Sequence, residues 1–310
     1  MKLSDLLRPP EGLSVVKAEL LLVPAEDTTL PPMSSRVLKS LALREQCLGS
    51  QLSRAALFRL SMLRDQRGSP IYSTHSTGRP RVARQGEPLR GYVSILTASD
   101  PSQLLQCSGR ARPFDDGPPF EYQVTSLSVA QLDMLRLGLG EGLNLRLSFL
   151  TPTAIPAMIM NPPWAKARGK PIAGTRGYRL FPEPSYIVAY SVGLWLMAVG
   201  RRREAGYAPY YLGRLGDLRM IEVNYSVRPV TALVGTDDRG HMRLMRGFVG
   251  WAEYALTSKA VERFDGPLAL AQEMGIGKLR SMGMGEVRAE VLQAPKFRPG
   301  GKRSNDQRRS

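Results

Sequence analysis

The sequence predicts an α+β chain made of two ferredoxin-like (βαββαβ) domains in tandem, with a glycine-rich loop near the C-terminus. Three observations predict it. Short β-branched and apolar runs alternate with helical ones in the order β-α-β-β-α-β, once on each side of Gly138, Gly140 and Gly142. At 310 residues and 43% hydrophobic, the chain is long and apolar enough to bury two ordinary cores. Finally, "MGIGKLRSMGMGEVRAEVL", Met274 to Leu292, places Gly275, Gly277, Gly283 and Gly285 between a short helix and a closing strand.

The elements follow in order. "LSVVKAELLLV", Leu13 to Val23, is β-branched and apolar and reads as the first strand. Pro31-Pro32 stops it. In "MSSRVLKSLALREQC", Met33, Val37, Leu38 and Leu41 recur at helical spacing, with Ser34 or Ser35 as N-cap. Arg36, Lys39, Ser40 and Arg44 share the wetter side of that helix. "LFRLSML" is a second strand, Ile71-Tyr72 a short third, and Ser73 to Arg90 a long loop rich in Gly, Pro and Arg. Gly91 to Ala98 is a strand, a helix begins at Asp100-Pro101, and Phe120 to Val129 closes the first unit. The second unit opens with the alternating "LNLRLSFL". A long apolar helix over Ser185 to Arg202 follows. Two strands, "MIEVNYSVRPVTALV" and "HMRLMRGFVGWAEYAL", are joined by "GTDDRG", a hairpin-type turn. Pro267 to Met274 is a short helix and Glu286 to Leu292 the last strand. The expected division is an extension over 1–12, a first domain over 13–137, a linker over 138–142, a second domain over 143–294, and a basic disordered tail over 295–310.

Charge narrows the function. The net charge is +16, and the last sixteen residues account for +5, which leaves +11 on the body. A body this basic points to a polyanion, most commonly nucleic acid. Cys47 and Cys107 are the only cysteines and His75 and His241 the only histidines, all far apart in sequence. A disulfide framework and a zinc site are therefore not expected. The N-terminus lacks the apolar core of a signal peptide. The longest apolar run, Ile187 to Val199, falls short of the roughly 20 residues a membrane span needs. The expectation is a cytoplasmic protein without membrane association, metal or cofactor.

Glycine tolerates φ > 0 and lets another backbone approach closely. Successive amides in such a turn form an anion nest. Lys278 and Arg280 add charge and Ser281 a hydroxyl, a set suited to a phosphate chain. The segment is neither a Walker A loop nor a dinucleotide fingerprint, whose helix follows the glycines. The plainer alternative is a helix C-cap with a tight lead-in to an edge strand. Further basic stretches interleave with aromatics. "NPPWAKARGKPIAGTRGYR" carries Lys166, Arg168, Lys170, Arg176 and Arg179 beside Trp164 and Tyr178. "RRREAGYAPYYLGR" repeats the mixture with Tyr207, Tyr210 and Tyr211, which packing would also explain. Arg79, Arg81, Arg84 and Arg90 form a third stretch.

"GIGKLRSMGMGEV" resembles the C-terminal glycine-rich loop of the CRISPR-associated RAMP superfamily, and the chain is most similar to its endoribonucleases that process CRISPR repeat RNA. "LSVVKAELLLVPAEDTTLPPMSSRVLKSLAL", "LNLRLSFLTPTAI" and "RGFVGWAEYAL" resemble other stretches of the family in the same order, so the likeness covers most of residues 13 to 292. The resemblance implies two ferredoxin-like domains, the second binding RNA, and metal-free cleavage that leaves a 5′-hydroxyl and a 2′,3′-cyclic phosphate. Many members place a histidine just after the first helix, with a tyrosine and a lysine nearby. Here the corresponding stretch, "CLGSQLSRAALFRL", has none, and Ser53 or Arg54 stands in its place. Metal-free cleavage needs a base for the 2′-OH, a donor for the 5′-oxygen and cations around the phosphorane. Lys39 is the candidate for 2′-OH activation or leaving-group protonation. Arg36, Arg54 and Arg280 are candidates for charge stabilisation, and His75 for a general acid or base swinging in from its loop. Gly275, Gly277, Lys278, Arg280, Ser281, Gly283 and Gly285, with Lys166, Arg168, Lys170 and Arg176, are the expected RNA contacts. The competing reading is a non-catalytic RNA-binding subunit of a CRISPR effector complex.

Overall fold

The structure is a computed structural model that describes residues 3–76, 80–162, 177–204, 206–237 and 239–293. It begins with a short helix α1 (Leu3–Leu7), then β1 (Ser14–Pro24), α2 (Ser35–Arg44), α3 (Gln46–Arg54), β2 (Leu57–Leu60), β3 (Leu89–Thr97), β4 (Ser108–Ala111) and β5 (Phe120–Gln131). These strands form one antiparallel sheet in the order β2-β3-β1-β5-β4. Strand alternation puts Val16, Ala18, Leu20 and Leu22 of β1 on one face, where they meet Val37, Leu38 and Leu41 of α2 and Leu48 of α3. Lys17 and Glu19 therefore point to the other face.

The second half contains β6 (Leu143–Thr153), α4 (Pro184–Ala198), α5 (Ala208–Arg219), β7 (Met220–Thr236), β8 (Met242–Leu256), α6 (Asp265–Met274) and β9 (Val287–Gln293). Its sheet order is β7-β8-β6-β9, all antiparallel. Leu145, Leu147 and Phe149 of β6 bury against Trp195 of α4 and Leu268 of α6. Side chains of this size each contribute about 1.5–3 kcal/mol on burial. Helix α4 is apolar on every side because the sheet takes one side and α5 another. Gly213 and Gly216 of α5 permit that crossing, since a Cβ on them would sit 2.6 Å from Ser185 O and 2.9 Å from Val188. Both sheets thus carry the ferredoxin-like order expected from the sequence. Val15 and Leu96, on the open face of the first sheet, pack into the second core and join the two halves. Residues 1–12 were expected to be an extension. Within them Leu6 also belongs to the second core, and Trp195 Nε1–H donates to Leu7 O at 2.8 Å. Among the described residues no helix is long and apolar enough to cross a membrane.

Several local expectations are corrected. The helix after Pro31-Pro32 is two helices, broken at Glu45, whose backbone is extended. Ser34 and Ser35 do not cap it with their side chains. Ser34 Oγ bridges Ile71 O and Leu63 N, and Ser35 Oγ reaches the glycine segment. The helix from Ser102 is a 3₁₀ turn, Ser102–Gln106. Tyr72 makes a single bridge to Met33 rather than a strand, and the loop from Ser73 holds a two-residue ladder, Val82–Ala83 on Thr28–Thr29. Helix α4 stops at Ala198 because Gly200 (φ 72°) turns left-handed beyond it. Cys47 and Cys107, sixty residues apart in sequence, stand side by side with Cα atoms 5.9 Å apart and form a disulfide. In the loop-entropy account such a link contributes about 4 kcal/mol. It ties α3 to the end of the 3₁₀ turn.

Candidate functional site

The glycine segment is a clasp that turns Lys278 and Ser281 outward. Helix α6 ends at Met274, and Ile276 N–H donates to Gly285 O at 2.8 Å, which closes residues 276–285 into a loop. Lys278 N–H donates to Ala154 O and Gly285 N–H to Pro152 O, both at 3.0 Å, so the loop is pinned to the end of β6. On the other side Ser35 Oγ–H donates to Met282 O at 2.6 Å and Gly283 bridges Ser61, which pins it to α2 and to the strand that follows α3. Gly277, Gly283 and Gly285 have φ of 94°, 81° and 70°. A Cβ on them would lie 2.7 Å from Ala154 O, 2.7 Å from Met62 N and 1.8 Å from Ile276 O. Only glycine meets both demands. Gly275, also at positive φ, lies under Gly285. The amides of Gly275, Ile276, Lys278, Gly283 and Gly285 all donate to carbonyls of the protein itself. What the loop offers outward is mostly side chain: Lys278 and Ser281 are exposed, and Arg280 is half-buried with Nη1–H on Met274 O at 3.2 Å.

A buried ionic cluster lies beneath the loop. Arg59 of β2 is fully buried, with Nη2 3.6 Å from Glu286 Oε2, an ion-pair rather than a hydrogen-bond distance. Glu286 also pairs with Arg64, and the Arg59 guanidinium lies 5.3 Å from the centre of the Tyr92 ring. Burial holds the Tyr92 phenol far above its ordinary pKa. Glu286 follows the last glycine, and Arg59 Nε would be 3.2 Å from a Cβ on Gly275. The cluster therefore sits under both ends of the loop. Removing one partner of such a pair leaves an uncompensated buried charge. Sequence reasoning missed it. The available signal was a charged residue at an inward position of the apolar "LFRLSML".

The structure does not gather the catalytic candidates at this clasp. The Arg36 guanidinium lies against the backbone of Gly235 in β7, where an added Cβ would be 2.6 Å from Nη2. It thus spans from the first half of the chain to the second. Lys39 is exposed, one turn along α2 from the Ser35 that holds the loop, in a shallow depression lined also by Leu43, Ser53 and Phe58. Among the described residues it has no ion pair. Arg54 is the exposed last residue of α3. His75 is exposed, and its backbone N–H is fastened to Thr231 O of β7 at 2.9 Å. Met33, Met62, Ala154, Ala232 and Met284 fill the space between these elements. Lys166, Arg168, Lys170 and Arg176, together with Arg79, Trp164 and the tail from 295, lie outside the described residues. Among the described residues no three His, Cys, Asp or Glu side chains gather as a metal site would require.

Two models of one family match the chain in order: the Cas6 N-terminal domain over residues 16–129 and the CRISPR-associated endoribonuclease Cas6 over residues 147–287. The chain belongs to the Cas6 family. Among curated Cas6 proteins, CRISPR-associated endoribonuclease Cas6 1 of Saccharolobus solfataricus is 25% identical over 291 residues, 88% of this chain and 95% of its own. Cas6 2 of the same organism is 26% identical over 282 residues, 87% of this chain and 93% of its own. Among solved structures, Thermus thermophilus Cas6 has a TM-score of 0.53 at 16% identity, over 90% of this chain and 98% of that one. A Cas6 product complex has a TM-score of 0.55 at 20% identity, over 89% of this chain and 100% of that one. These last two likenesses show the shared Cas6 fold.

Proposed function

We propose that this chain is a metal-independent endoribonuclease that cuts CRISPR repeat RNA by attack of a 2′-OH on the adjacent phosphate, releasing guide RNAs. The observation that carries the proposal is the Ser35–Met282 contact. It couples the loop that displays Lys278 and Ser281 to the helix that bears Lys39. An RNA strand on the outer side of the loop meets Lys278 and Arg280 at its phosphates, and Lys166, Arg168, Lys170 and Arg176 are further RNA-binding candidates. Lys39 activates the 2′-OH or protonates the leaving 5′-oxygen, and Arg36 and Arg54 stabilise the charge of the phosphorane. His75 is a further candidate acid or base, on the loop fastened to Thr231. Without a histidine on the helix, positioning and electrostatic stabilisation carry most of the acceleration. The net charge of +16 supplies long-range attraction that weakens with salt. We place the reaction in the cytoplasm, with other CRISPR effector subunits as potential protein partners.

Labelled repeat RNA incubated with the protein in EDTA tests this. One discrete cut with a 2′,3′-cyclic phosphate and a 5′-hydroxyl supports the enzyme. Tight, repeat-specific binding without a cut assigns the chain instead to the RNA-binding subunits.

A further inference from the structure

We propose that a cavity beside the glycine loop receives one unpaired nucleobase of the RNA, flipped out next to the phosphate that Lys278 holds. The inference rests on the RNA reading above and adds a specificity site to it. The cavity, of about 410 Å³, opens between α4, α5 and the short turn Ala157–Met160. Tyr190, Tyr207 and Tyr210 line it, with Lys278, Arg202 and Asn161 as its polar groups. "RRREAGYAPYYLGR" is thereby explained in part. Arg202, Tyr207 and Tyr210 from that stretch meet on one hollow, while Tyr211 stays outside it, edge-on to Tyr210.

The chemistry of the lining selects the occupant. Among the described residues no Asp or Glu lines the cavity, its body is apolar and aromatic, and its cations are the side chains of Lys278 and Arg202. That suits a flat, neutral ring carrying an anion on one side, which describes a nucleotide within a strand. Ligand cavities of this kind begin at about 300 Å³, so one base and its sugar match the size better than a folded RNA element. The floor is open: a Cβ on Gly193 of α4 would meet nothing within 4 Å. Asn161 can donate to and accept from the edge of a base, which gives the site a means to choose among bases. The cavity is also tied to the proposed reaction centre. Tyr190 O–H donates to Gly277 O at 2.5 Å, and the Arg280 guanidinium lies 5.9 Å from the centre of the Tyr190 ring. Burial raises the Tyr190 pKa, with the nearby Arg280 acting against that rise, so the phenol stays protonated and able to donate.

The test is an affinity scan with repeat RNA made uncleavable by a single 2′-deoxy sugar and carrying one abasic site at successive positions. One position is expected to weaken binding about tenfold to a hundredfold, the effect of losing one stacked base. Tyr210→Ala is expected to weaken intact RNA similarly, yet to have no further effect on RNA abasic at that position. Gly193→Leu should repeat this pattern by filling the floor, and since its site is open and leucine favours the helix more than glycine it should not lower the melting temperature. A scan with no sensitive position, or a Tyr210→Ala penalty that persists with every abasic RNA, overturns the base site. In that outcome the unaltered protein still binds repeat RNA and remains sensitive to Lys278→Ala. No preference of the unaltered protein for repeat RNA overturns the site and the proposed function together.

Discussion

Gly285→Ala is expected to destabilise the protein by about 3 kcal/mol or more and to remove RNA cleavage with it. Two costs combine. A non-glycine residue at φ 70° is strained by about 1–3 kcal/mol. The new Cβ would also stand 1.8 Å from Ile276 O, so the hydrogen bond that closes the loop must open. A buried group that loses its partner costs about another 1–3 kcal/mol. At roughly 2–4 °C per kcal/mol, the melting temperature should fall by about 10 °C. Gly86→Ala is the matched control. Gly86 has φ 74° but nothing within 4 Å of an added Cβ, so it carries the strain without the clash. Thermal melts of the two variants separate the terms, and equal shifts would mean that the loop has room to relax and is no clasp.

Lys39→Ala is expected to slow single-turnover cleavage about a hundredfold or more, the usual range for a lost proton-transfer group, and to leave RNA affinity nearly intact. The side chain is exposed and has no ion pair among the described residues, so stability should hardly change. Unchanged turnover would remove Lys39 from the reaction. Arg280→Ala should behave differently. Arg280 holds Met274 O as well as facing outward, so both affinity and rate should fall. The two variants therefore distinguish chemistry on α2 from presentation by the loop.

Elements whose pattern follows their own burial were legible in the sequence. Strands β1 and β6 alternate or run apolar, and the β7–β8 hairpin has a turn-rich centre. Helix α3 was hidden because the break at Glu45 involves neither Gly nor Pro, and "SRVLKSLALREQCLGSQLSR" keeps a helical rhythm through it. Helix α5 was hidden by Gly213 and Gly216, which weaken its helical signal for the sake of close approach to α4. The four glycines of the loop were readable as positive-φ positions. What they serve was not, because that depends on Pro152, Ala154 and Met62, the backbones lying across them. The Arg59–Glu286 pair could not be read for the same reason: its partners are brought together only when the last strand docks. The cations singled out near the loop were legible as a set, while their division into displayed Lys278 and anchored Arg280 came only with the fold.

The most direct measurement of the central claim is a map of ultraviolet cross-links between the full-length protein and repeat RNA made uncleavable by a 2′-deoxy sugar at the cut site. Cross-links concentrated on residues 278–281 and on the tyrosines beside them, lost in Lys278→Ala, are the predicted result. Cross-links confined to the far edge of the first sheet, around β4, with the loop untouched, would contradict the account.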